Sequence, residues 1–75
     1  MRNADSTQVE TTAEALQVGD RILYNFFRGS AEYGWDSGYG SGRVLAVKDD
    51  LITIGDENES RMYLVSELPY VVVVR

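Results

Sequence analysis

A chain of 75 residues with net charge −5, 44% hydrophobic content and neither cysteine nor histidine sets narrow limits. It excludes disulfides, thiolate and imidazole metal ligands, and imidazole general bases. A chain this short buries only about 60% of its unfolded surface, so it must rely on tight packing or on a partner chain.

Twelve acids stand against seven bases, and Arg21, Arg28, Arg43, Lys48, Arg61 and Arg75 are scattered. That balance argues against nucleic acid as a partner, because such affinity rests on phosphate neutralisation. No stretch approaches the roughly 20 apolar residues of a membrane span. The start, MRNADSTQVETTAEAL, lacks the apolar run of a signal peptide. A soluble, cytoplasmic protein is expected, in keeping with the missing cysteines.

In chain order, residues 1–15 read as a flexible polar tail and residues 16–75 as one β domain. The tail is rich in Thr, Ser, Asn, Asp and Glu. A short helical turn over Thr12 to Leu16 is compatible with its Thr cap and alanines. RILYNFF (21–27) is the first predicted strand, being aromatic and branched. AEYGWDSGYGSG (31–42), with four of the seven glycines and the single tryptophan, reads as a long loop. GRVLAV (42–47), LITI (51–54), RMYLV (61–65) and YVVVV (70–74) are four further strands. KDD and GDENES form the turns between them, and SELP (66–69) forms one helical turn with Ser66 as its cap and Pro69 as its stop. The expectation is an all-β, five-stranded small barrel. YVVVV would be an aggregation-prone edge if left open, which points to a homo-oligomer through Tyr70–Val74 or to a partner on that edge.

The order of parts resembles the SH3-like barrels, especially the Tudor and KOW-type branches. The resemblance is carried by VGDRILYNF, a long loop, GSGRVLAV, LITIGDENES, RMYLVSEL and PYVVVV, and covers about residues 17–75. It implies an aromatic cage for a methylated Lys or Arg. The rings available would be Tyr24, Phe26, Tyr33, Trp35, Tyr39 and Tyr63, with Asp36 or Glu32 as the negative charge. A weaker resemblance is to the plasmid-borne type II dihydrofolate reductases, short SH3-like chains that assemble as tetramers. Their site strand falls on Ser60, Arg61, Met62 and Tyr63, of which Tyr63 matches. That resemblance implies a shared central pore lined by Arg61, Met62 and Tyr63.

Catalytic machinery is hard to assemble from these residues. A serine nucleophile would need Lys48, the single lysine, which sits in an acidic turn. The acids Asp49, Asp50, Asp56, Glu57 and Glu59 fall on predicted turns, where carboxylates are solvated and unperturbed acid–base groups are the norm. DENESRMYLVSE (56–67) places Asp56, Asn58, Ser60 and Glu67 at calcium-loop positions, but Arg61 replaces the glycine that the sharp turn needs. GYGSG lacks the spacing and the following helix of a phosphate loop. No metal and no cofactor is expected.

The expected function is therefore binding: a non-enzymatic adaptor, inhibitor or assembly subunit that contacts another protein, basic in character. Its candidate contact residues are Glu32, Tyr33, Trp35, Asp36 and Tyr39. Within that set, Trp35 and Tyr39 either fold back to cap the barrel or face a partner. Alternatives are an oligomeric small-molecule-binding or reductase-like barrel using Arg61, Met62 and Tyr63, and an acidic mimic of nucleic acid. Shortness, acidity and the lack of catalytic residues suit an accessory protein of a phage or mobile element.

Overall fold

A computed structural model describes residues 7–75. Most of them lie in six strands: β1 (Gln8–Thr11), β2 (Arg21–Ser30), β3 (Gly34–Lys48), β4 (Leu51–Gly55), β5 (Ser60–Leu64) and β6 (Tyr70–Val74). All pair antiparallel in a single sheet of order β1-β6-β2-β3-β4-β5. The all-β expectation holds, and the domain is compatible with an SH3-like fold.

The sheet curls, because β2 and β5 are not neighbours in it yet meet across the core. The Tyr24 hydroxyl donates to the Tyr63 hydroxyl at 3.2 Å, and their rings meet edge to face with centroids 5.2 Å apart. Ile22, Tyr24, Val44, Ile52, Ile54, Tyr63, Val71 and Val73 fill the space between them. Each lies on the inward side of its strand, as a period of two requires. Two single-turn 3-10 helices close the ends. Ala13–Ala15 brings in Ala13 and Leu16, and Val65–Glu67 precedes the buried Leu68. Ser66 does not cap the second turn. The amide of Leu64, the residue just before the turn, donates instead to the Glu67 carboxylate at 2.9 Å.

Three features differ from the sequence expectation. First, Gln8–Thr11, read as part of a polar tail, is a strand paired with β6; the rest of that tail, residues 1–6, lies outside the described residues. Second, β6 is consequently an interior strand, bonded to β1 on one side and β2 on the other. The hydrophobic run YVVVV therefore has no open edge through which a homo-oligomer could form. Third, the long loop does not exist. Only residues 31–33 turn, and Gly34–Gly42 continues β3 as the second arm of a ten-pair hairpin with β2.

The hairpin accounts for the molecule's shape. Fifteen strand residues at about 3.3 Å each span about 50 Å, and the long axis is 52 Å against 24 and 22 Å for the others. The radius of gyration is 13.3 Å, where a compact chain of this length would have about 11 Å. The distal part of the hairpin thus projects from the barrel as a two-stranded ribbon. β6 accompanies β2 only as far as Asn25, and β4 accompanies β3 only from Arg43.

Candidate functional site

The ribbon's glycines set its two faces. In register, Gly38, Gly40 and Gly42 lie opposite Phe26, Tyr24 and Ile22, all on the inward side. A Cβ on Gly40 would come within 2.7 Å of the Tyr24 hydroxyl, and one on Gly42 within 2.9 Å of the Ile54 side chain. Phe26 and Tyr24 of β2 and Ile54 of β4 therefore lie over bare backbone of β3, which is the close approach that strand glycines permit.

With glycine on alternate inward positions, the residues between them point outward. Trp35, Ser37, Tyr39 and Ser41 occupy the outer face of β3, alongside Leu23, Asn25 and Phe27 of β2. Trp35 stacks on Phe27 with centroids 5.0 Å apart and planes 5° from parallel. Trp35 is still 60% exposed and Tyr39 83% exposed. Neither caps the core, so that of the two expected roles for these rings is overturned. Next to them, Asn25 pairs with Tyr39 on one side and Tyr70 on the other. A shallow groove of about 410 Å³ runs there, lined by Leu23, Asn25, Tyr39, Ser41 and Tyr70. Tyr33, 87% exposed, and Glu32 lie at the turn, and the Tyr33 amide donates to the Ser30 hydroxyl. Asp36 follows Trp35 but faces the other side, opposite Arg28.

The five expected contact residues thus share the projecting ribbon, with Trp35 and Tyr39 on one face of it. Phe27, Tyr70 and Leu23 complete that face and were not singled out from the sequence. The signal for Phe27 was its alternation with Phe26, which puts one ring inside and one outside.

The six rings of the expected cage do not come together. Tyr24, Phe26 and Tyr63 cluster inside the barrel, while Tyr33, Trp35 and Tyr39 are outside. The inner cluster already has a cation, since the Arg28 guanidinium lies 4.4 Å from the Tyr63 ring centroid. The expected pore residues also separate. Tyr63 is a core residue at 2% exposure, whereas Met62, 58% exposed, faces outward on the same strand. Arg61 lies at the rim, paired with Glu59 at 2.9 Å and donating to the Tyr24 hydroxyl at 3.2 Å. These contacts hold its guanidinium pKa above the usual range, the Glu59 hydrogen bond being the main cause.

The Tyr24 hydroxyl is itself perturbed. Burial, followed by its hydrogen bond to Tyr63, pushes its pKa up to about 12. Of the calcium-loop residues, Asp56 closes its own turn, accepting from the Asn58 and Glu59 amides at 2.8 and 3.0 Å. Those bonds hold its carboxyl below the usual carboxylate range. Glu67 is engaged elsewhere, with Arg28 at 3.3 Å and the Leu64 amide. Among the described residues no group of three or more potential metal ligands is gathered, and no helix is long and apolar enough to cross a membrane.

No protein-family model, curated protein or solved structure matches this chain.

Proposed function

We propose that this domain is a non-enzymatic protein-docking module on an SH3-like scaffold, whose contact surface is the outer face of the β2–β3 hairpin. The observation that carries the reading is the exposed Trp35–Phe27 stack, with Tyr39 and Tyr70 beside it along the groove. In a chain this small, large rings are the main means of building a core. Leaving a tryptophan and several aromatics in water forgoes about 1.5–3 kcal/mol for each large apolar side chain left unburied. Rigid aromatic side chains on a paired strand are also well suited to act as contact anchors.

The partner in this reading is another protein, of basic character. Glu32 lies at the turn that ends the ribbon, and among the described residues it is in no ion pair. The chain's net charge of −5 adds a long-range bias of the same sign. A cytoplasmic setting belongs to the same reading.

Trp35→Ala and Tyr39→Ala test it. Both side chains lie outside the core, so each variant keeps the wild-type melting temperature within a few degrees. Each loses the proteins that the immobilised wild-type domain retains from its own host extract. Variants that unfold, or that retain the same proteins as the wild type, overturn the reading.

A further inference from the structure

Beyond the docking face, the ribbon has a second unpartnered feature, the backbone edge of β3. The Val44 amide donates to the Asp20 carbonyl at 2.8 Å, which fixes the phase of the hairpin's ladder. Even-numbered residues of β3 between 34 and 42 bond to β2, and Trp35, Ser37, Tyr39 and Ser41 turn their N–H and C=O groups away from it. β4 joins that side only at Arg43. Gly34–Gly42 is therefore an open edge nine residues long.

Among the described residues, the β5 edge is partly occupied and the β1 edge is short, while β2 beyond Asn25 is uncovered over only five residues. At β5, the two outward backbone groups nearest its end are occupied by side chains. Arg28 donates to the Met62 carbonyl at 2.7 Å, and Glu67 accepts the Leu64 amide. β1 is four residues long. The β3 edge has no proline, no lysine and a single charge, Asp36, so it lacks the devices that keep long edges apart.

We infer that this edge pairs antiparallel with the same edge of a second copy of the chain, about a two-fold axis at Gly38. Self-complementarity favours this occupant. The edge is centred on Gly38, so using its full length sets Trp35 against Ser41 of the second copy and Ser37 against Tyr39. All four outward-bonding residues then fall into bonded pairs, giving about eight hydrogen bonds. Gly38 meets Gly38 at the axis with no side chain to obstruct it. Asp36 meets Gly40, so the single charge on the edge does not oppose itself. At the limit of the pairing, Tyr33 and Glu32 of the second copy's turn arrive at Arg43, beside a wide groove lined by both bases and acids, Arg21, Arg43, Asp56 and Glu57 among them. The outer faces of the two ribbons become continuous, so the dimer presents one aromatic strip twice as long. This is an interface apart from the docking face, and its test reads mass, not partner capture.

The test is sedimentation equilibrium of the full chain from low to high micromolar concentration. The expected result is a reversible shift from the 8.4 kDa chain mass to twice that value. Ser37→Pro removes one outward N–H without removing a bond to β2. Tyr39→Lys places a charge beside the axis at an exposed position. Both are expected to stay at the chain mass at every concentration, with wild-type circular dichroism. Met62→Lys, on the partly occupied β5 edge, still dimerises. A wild type that is monomeric throughout overturns the inference, including one that instead binds an added basic peptide on this edge. Edge variants that dimerise as the wild type does also overturn it.

Discussion

Tyr24 joins core, hairpin and rim. Its ring fills the space above Gly40, and its hydroxyl donates to Tyr63 and accepts from Arg61. Because burial raises its pKa to about 12, the folded state holds this proton over a range in which the unfolded chain has lost it. The folded pKa lies above the ordinary tyrosine value of about 10, so the contribution is fully present below pH 10 and is lost as pH rises towards 12. Urea unfolding should therefore show the midpoint falling as pH rises from about 10 towards about 12. Tyr24→Phe should lower the midpoint at neutral pH by leaving the Tyr63 hydroxyl without its partner, at about 1–2 kcal/mol. It should also remove much of the alkaline fall. An unchanged alkaline slope in Tyr24→Phe would mean that another group carries it.

The hairpin shows how two residue patterns combine in one element. Glycine is read by default as a sign of loop, which is why residues 31–42 were expected to be irregular. The better signal was spacing, since Gly38, Gly40 and Gly42 alternate with Tyr39 and Ser41 at the period of a strand. Opposite them, Tyr24 and Phe26 carry the same period on β2 and supply the volume that Gly40 and Gly38 omit, while Ile54 of β4 fills the space over Gly42. The substitution order follows from that geometry and not from strand propensity. Gly40→Ala should cost about 1–3 kcal/mol, because Tyr24 is buried and cannot yield. Gly38→Ala meets Phe26 at 3.2 Å, and that ring is only half-buried and free to shift. It should cost under about 1 kcal/mol, since alanine also reduces the freedom of the unfolded chain. Chemical denaturation of the two variants ranks them, and the reverse order would refute the close approach at Tyr24.

Four other strands and both short turns were legible, because branched and aromatic runs between polar turns are local signals. β1 was not legible, since QVET has one large apolar residue and becomes a strand only because β6 needs a neighbour. The Arg28–Glu67 contact was equally hidden. It joins residues 39 apart in sequence, and its role is to occupy the β5 edge where the sheet curls past β2. The candidate site was readable in composition but not in geometry. Which face Trp35 takes depends on the strand phase, and that phase was obscured by reading the stretch as a loop.

At the scale of the molecule, a small curled sheet carries a two-stranded ribbon with aromatic rings on one face and a long run of unused backbone groups along its β3 edge. Both the outer aromatic face and the open edge follow from the phase of β3 between Gly34 and Gly42. Residue-resolved amide hydrogen exchange tests it directly, in the Tyr39→Lys background so that the edge is free. Alternation is expected: slow exchange at Asp36, Gly38, Gly40 and Gly42, whose amides bond to β2, and fast exchange at Trp35, Ser37 and Ser41. Uniformly fast exchange from residue 34 to residue 42 would contradict it, because it would make this stretch a loop.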